Sequence, residues 1–298
     1  MRLVHSPRFL LHVVGLALAS LLYLVSVGVR SPLGDLLVGI ATSFVFATLV
    51  DILLVAQRSL IGRDRIRFFG SELVLNQTTL VFPDFVLHEH VRAILSSHNQ
   101  QLIFQRPHSR FSSLIVHRID VPSLVATNDI QALLYVSSIF DSTEECPNVM
   151  VIDSKIVEDC DRSFISFGLS SNDCTHLYLN ESRSLLFQVV EDDGGSEFVR
   201  LANGHEFRST ERRQYGLIVR HAPDPVEVPH RRWLLVAGVG PVGTTGAGWY
   251  LARHWQTLAK QVPPGRDFAA VISIGSYTDR MPRLEEVLVD GAGDGAAP

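Results

Sequence analysis

The sequence predicts two transmembrane helices followed by a cytoplasmic α/β domain with a mixed, Rossmann-like sheet. Three observations carry this expectation. Two apolar runs of membrane-spanning length fill the first sixty residues, short Val/Ile/Phe-rich runs then alternate with helix-like segments, and a glycine-rich strand-to-helix junction lies near residue 240. The expected organisation is a helical hairpin over 1–60, an α/β domain over 61–290 and a disordered Gly/Ala-rich tail over 291–298.

Phe9 to Val29 holds no charge, and Leu36 to Ala56 holds only Asp51. At about 1.5 Å rise per residue, each run reaches roughly 31 Å, close to the thickness of a hydrocarbon core. Residues 30–35 suffice only for a turn. Arg2 and Arg8 precede the first run, and Arg58, Arg63, Arg65 and Arg67 follow the second, while Arg30 in the turn is offset by Asp35. The positive-inside rule then puts both termini in the cytoplasm. A cleaved signal peptide is the competing reading, because Ala17-Leu18-Ala19 before Ser20 has cleavage-site spacing. The apolar stretch continues well beyond that point, too far for a signal h-region. Twenty-four arginines against two lysines suggest a GC-rich bacterial genome, hence the inner (plasma) membrane and a multi-pass protein in it.

Asp51 is unusual, since a carboxylate inside a bilayer costs about 2.5–3.5 kcal/mol on insertion scales. In an antiparallel hairpin His12 falls at similar depth. Gly39, Ser43, Ala47 and Asp51 share one helix face, and Gly15 and Ala19 form a smaller stripe on the other helix. The expectation is that the stripes meet and His12 pairs with Asp51. Two alternatives stay open: Asp51 snorkels to the headgroups, or the polar face lines a homo-oligomeric pore.

Beyond residue 60 the composition is that of a globular domain, and about 235 residues bury one large core or two small ones. A net charge of −5 argues against nucleic acid as an electrostatic partner. The basic cluster Arg58 to Arg67 fits the lipid bilayer instead. Cys146, Cys160 and Cys174 are odd in number and form no CxxC pair, which excludes a disulfide framework and a cysteine zinc site.

Thr78 to Phe82 reads as a strand ended by Pro83-Asp84, and Leu114 to Val116 as another. Ile130 to Phe140 has helical apolar spacing with Asn128 or Asp129 as N-cap. Val149 to Ile152 and Phe164 to Phe167 are buried-type strands. Leu185 to Val190 and Phe198 to Leu201 form a hairpin around Asp193-Gly194-Gly195, with Asp-Gly supplying the positive-φ turn, and these strands are expected to make the sheet mixed. Tyr215 to Val219, Trp233 to Ala237 and Ala269 to Ile274 are further strands. Thr245 to Lys260 is a helix with Ala247, Tyr250, Leu251, Trp255 and Leu258 on one face, and the strand–helix–strand order implies a right-handed parallel crossover.

The junction WLLVAGVGPVGTTGAGWYL carries the strongest motif. Gly238, Gly240 and Gly243 match G-x-G-x-x-G between a strand and a helix, and Thr244 and Thr245 add hydroxyls where a helix N-terminus favours an anion. Pro241 removes a donor from the loop, and no acidic residue closes a second strand about 20 positions on. A plain packing turn is therefore the alternative. Phe164 to Gly168 followed by Ser170, Asn172 and Thr175 is a second strand, glycine and polar-cluster junction. If the two strands are parallel neighbours, their ends share one crevice. Asp153, ending a strand, and Asp173 are candidate acid–base groups there. His88-Glu89-His90 lacks a third ligand, so no metal is expected, and the residues specify no cofactor. No Ser-His-Asp set can be assigned by spacing, and Gly-x-Ser-x-Gly is absent.

Phe164-Ile-Ser-Phe-Gly168 with Ser170, Ser171, Asn172 and Thr175, then Tyr215 to Val219, then Ala237 to Ala252 together resemble an uncharacterised bacterial family. In that family a Gly–Ser/Asn–Thr segment and a Tyr-Gly-Ile strand precede a Gly-Thr-x-Gly-Ala-Ala-Trp-Tyr-Leu-Ala segment. The resemblance covers roughly residues 70–275. This chain departs from it by Gly248 for alanine and by Pro241-Val242 in the loop. The family has no assigned activity, so the resemblance implies one folded unit. More loosely, the junctions are similar to Rossmann-like sensor domains that bind nucleotide-derived signals in bacterial conflict systems.

The expected function is thus a membrane-anchored cytoplasmic domain binding a small anionic, nucleotide-like ligand, as a sensor or membrane-perturbing effector. A membrane-bound nucleotide hydrolase or glycosyl-transfer enzyme and a non-catalytic scaffold for a partner protein are the alternatives.

Overall fold

The computed structural model describes residues 7–28, 32–83, 104–108, 111–116, 126–140, 148–159, 161–183, 185–240, 242–275 and 281–291. The chain divides into two compact units, Met1–Asp64 and Arg65–Pro298.

The first unit is helical. Helix α1 spans Pro7–Gly28, and α2 spans Pro32–Phe69, whose last turn belongs to the second unit. Among the described residues one helix, Gly34–Phe69, is long and apolar enough to cross a membrane, and a shorter apolar stretch covers Ala17–Ser26. Leu36, Phe46, Leu49, Leu53 and Leu60 are exposed apolar side chains along α2. The hydroxyls of Ser26, Thr42, Ser43 and Thr48 donate to carbonyls three or four residues back, which satisfies them within their own helix. The helix does not stop near residue 56 as the apolar run suggested. Nothing between Ala56 and Phe69 breaks it, and it ends at Gly70, whose φ of 95° and N–H to Ile66 carbonyl terminate the ladder.

The expected helix contact is also corrected. A Cβ on Gly15 would stand 3.6 Å from Thr48 Oγ1, and Ala19, Ser26, Gly34 and Ala41 are buried. Gly39, Ser43, Ala47 and Asp51 lie on an exposed face, with open space around Gly39. Gly34, Ala41 and Thr48, seven apart, form the less exposed stripe instead. The side chain of His12 lies outside the described residues, and so does its expected pairing with Asp51.

The second unit is α/β. A short helix α3 (Ser71–Leu75) leads into β1 (Thr78–Phe82). A two-stranded ribbon, β2 (Phe104–His108) and β3 (Phe111–Val116), precedes α4 (Thr127–Phe140) and β4 (Asn148–Ile152). Then come α5 (Asp153–Asp159), β5 (Phe164–Phe167) and α6 (Asp173–Glu181). Strands β6 (Phe187–Glu191), β7 (Glu197–Leu201) and β8 (Glu206–Phe207) form a separate three-stranded sheet. The chain continues with β9 (Arg213–His221), β10 (Trp233–Val239), α7 (Gly243–Gln261), β11 (Phe268–Gly275) and β12 (Arg283–Val289).

The main sheet has seven strands in the order β12-β11-β9-β10-β5-β1-β4. The strands β10, β5, β1 and β4 are mutually parallel, whereas β9 is antiparallel to both β10 and β11. The sheet is mixed because of β9 and β12, not because of the β6–β7 hairpin, which never joins it. In that hairpin the positive φ falls on Gly195 rather than Gly194. Strands β10 and β11 run in the same direction, as the strand–helix–strand order implied, but β9 lies between them.

Strand parity sorts the core into two faces. Leu217, Val219, Leu235, Ala237, Ala269 and Val271 share one apolar cluster with Tyr178 of α6 and with Phe187 and Val199 of the hairpin. The alternate residues meet α4 and α7, together with Phe68 and Phe69 from the end of α2. Phe69 packs on Phe140 and Trp255, and Phe68 on Phe268 and Trp255. Arg220, 1% exposed, stands between the rings of Phe68 and Phe268. Its guanidinium donates to the carbonyls of Phe68, Pro263 and Arg266, thereby capping the C-terminal end of α2 with a positive charge. Burial lowers its pKa to about 10.

Candidate functional site

Strands β5 and β10 are parallel neighbours, with Phe164 to Phe167 in register with Trp233 to Val236. Their C-terminal ends therefore lie side by side, and each passes through a glycine into a helix, as the sequence required of a shared crevice. Gly168 has a φ of 110° and donates its N–H to Val236 carbonyl, tying the two ends together.

After β5, Asn172 caps α6. Its Oδ1 accepts from Cys174 N at 2.8 Å, and its Nδ2 donates to Phe167 carbonyl at 2.7 Å. Thr175 donates to Gly168 carbonyl at 3.0 Å. Asn172 and Thr175 are both fully buried, so the expectation that they face an open crevice is corrected: they close the strand-to-helix turn from inside. Ser170 is exposed and donates to Glu197 of β7 at 2.7 Å.

After β10, the glycines serve close approach. A Cβ on Gly238 would stand 2.1 Å from Thr244 N, and one on Gly243 would stand 2.4 Å from Tyr215 carbonyl oxygen. Gly240 takes a φ of 89°, and Gln214 of β9 reaches across to accept the N–H of Val242 at 2.9 Å. The loop thus folds onto its own backbone and onto β9. Pro241 lies outside the described residues.

The α7 N-terminus, expected to face a ligand anion, faces α4. Thr245 donates to Asn128 carbonyl at 2.9 Å. Thr244, 5% exposed, hydrogen-bonds the carboxyl of Asp129, which is itself 5% exposed. A Cβ on Gly168 would stand 3.4 Å from Asp129 Oδ2, so this carboxyl sits between the two glycine turns. Burial raises its pKa, and the Thr244 hydroxyl opposes that shift. By sequence Asp129 is an N-cap candidate. It lies instead in the first turn of α4 and turns toward α7. Gln214 carries no local signal, because a single glutamine in a strand does not say which backbone it will meet.

Asp153, 4% exposed, opens α5, and its carboxylate accepts the N–H groups of Ser154 at 2.9 Å and Asp173 at 3.0 Å. It holds the start of α6 rather than standing open as an acid–base group. Asp173 is the exposed first residue of α6. Among the described residues no group of three His, Cys, Asp or Glu side chains is placed to hold a metal. His88-Glu89-His90, Cys146 and Cys160 lie outside the described residues, while Cys174 is buried and forms no disulfide among the described residues.

These elements define an α/β protein with a mixed sheet and an N-terminal helix long and apolar enough to span a membrane. No family model, curated protein or solved structure matches this chain.

Proposed function

We propose that this chain is a multi-pass protein of the bacterial inner membrane with both termini in the cytoplasm. Its α/β domain works in the Rossmann-like manner, binding a small anionic, nucleotide-like ligand and passing occupancy to the helical hairpin as a sensor or membrane-perturbing effector. The observation that carries the ligand half is the adjacency of two parallel strand ends, β5 and β10, each running through a glycine turn into a helix N-terminus. The membrane half rests on the exposed apolar side chains of α2 and on hydroxyls satisfied within their own helices.

Asp129 occupies the position an external anion would take at Thr244. Binding therefore requires that carboxyl to be neutral or to swing away. The test uses the full chain in detergent, titrated with linear and cyclic nucleotides and with pyrophosphate while its melting temperature is followed. At least one compound should raise the melting temperature, and Asp129→Asn should bind it several-fold more tightly at neutral pH. No shift in either protein with any compound would sink the ligand reading.

One observation favours a second reading, a membrane scaffold that docks a partner protein. The polar groups of Asn172, Thr175, Thr244 and Thr245 are all engaged by the fold itself, as they would be if both glycine junctions were packing turns.

A further inference from the structure

At the opposite end of the main sheet, residues far apart in sequence assemble a hydrogen-bond chain that spacing did not reveal. His221, the last residue of β9, pairs with Trp233, the first of β10. Seven residues of β10 separate this end from the glycine turn, about 20 Å at roughly 3.3 Å per residue. Asp267 precedes β11, and its Oδ2 lies 2.7 Å from His221 Nδ1 while its Oδ1 accepts the N–H of Ala222 at 2.9 Å. The other imidazole nitrogen, Nε2, lies 3.4 Å from the Oγ of Ser182, which ends α6. The carboxylate thus orients Nδ1–H, leaving Nε2 to accept from the serine hydroxyl, which also hydrogen-bonds the phenol of Tyr178.

Burial grades along the chain in the sense a nucleophilic serine needs. The side chains of His221 and Asp267 are 7% and 14% exposed, and Ser182 is half-buried. The ring of Tyr178 stands edge-on to the imidazole at 5.0 Å, and the ring of Trp233 lies at 5.9 Å, so the histidine is walled by aromatics. The indole N–H of Trp233 is buried and has no acceptor among the described residues, an unmet donor within this cluster.

We infer that Ser182, His221 and Asp267 form a nucleophilic triad that hydrolyses carboxylic esters, at a site separate from the glycine turns. Ser182 Oγ attacks the ester carbon as its proton passes to His221 Nε2. Collapse of the tetrahedral species breaks the C–O bond to the leaving alcohol, which takes that proton. Water then repeats the sequence on the acyl-serine, releasing the acid and restoring the hydroxyl. Asp267 is a positioning residue that holds the imidazole tautomer.

The probe is an alkyl fluorophosphonate, which forms an O–P bond to an activated serine with loss of fluoride. The full chain in detergent should gain one adduct by intact mass, located on Ser182 by peptide mapping. Ser182→Ala should remove it without lowering the melting temperature by more than a few degrees. His221→Ala should abolish labelling, and added imidazole should restore part of it, a rescue that a purely structural histidine would not show. Asp267→Asn should slow labelling more than tenfold and shift its pH profile. The inference is overturned if the wild-type chain takes no adduct under conditions that label a known serine hydrolase, or if Ser182→Ala labels at the same rate. Neither result bears on nucleotide binding at the other end of the sheet.

Discussion

Asp129 brings a carboxyl into the interior, against the Thr244 hydroxyl and beside Gly168. Burial raises its pKa above the ordinary 3.8, so the folded protein holds this proton more tightly than the unfolded chain does. The favourable contribution is complete below the unfolded value and is lost as pH rises through the raised folded value. Asp129→Asn keeps an acceptor for Thr244 and removes the ionisation. It should melt at a higher temperature than the wild type at pH 7.5, with the two proteins converging toward pH 4. A melting series in detergent across that range checks this, and a variant that melts lower at pH 7.5 would mean that the ionised carboxylate is stabilising. Sequence could name Asp129 as a helix-start acid, because that signal is local. It could not show that the side chain turns to α7, because Thr244 is more than a hundred residues away.

Helices α4 and α7 show why the glycine-rich segment has its composition. A Cβ on Gly248 would stand 2.7 Å from Ala132 Cα and 2.9 Å from its carbonyl oxygen, both backbone atoms that a rotamer change cannot move. Glycine thus stands at 248 where α7 passes Ala132 of α4. Gly248→Ala should therefore destabilise the domain by about 1–3 kcal/mol despite the better helix propensity of alanine. At about 2–4 °C per kcal/mol for a domain of this size, thermal melting reads the loss. An unchanged or higher melting temperature would show that the helices separate freely. The existence of α7 and most strands was legible from apolar periodicity, as with Leu251, Trp255 and Leu258. The roles of the glycines were not: Gly238 and Gly243 pack closely against Thr244 and Tyr215. A glycine signals close approach without saying what approaches.

For the molecule as a whole, the apolar side chains exposed along α2 set the environment it needs. Phe46 and Leu53 are 66% and 60% exposed. Expressed in bacteria, the full chain should sediment with membranes, resist alkaline carbonate and dissolve in detergent. Phe46→Arg with Leu53→Arg adds two charges at about 2.5–3.5 kcal/mol each on insertion scales, and should release the protein or abolish its accumulation. Carbonate extraction of the unaltered chain would count against the membrane reading.

The apolar runs, the alternation of strand and helix and the two strand–glycine–helix junctions could be read from residue order, because each depends on neighbours within one or two turns of chain. Strand order, the antiparallel β9 between β10 and β11, the burial of Asn172 and Thr175, the placing of Asp129 between two glycine turns and the meeting of Ser182, His221 and Asp267 were decided only in the folded molecule. Apart from the short-range bonds of Asn172 and Thr175, these join residues well separated in the chain, and long-range packing, which leaves no local periodicity, selects those partners.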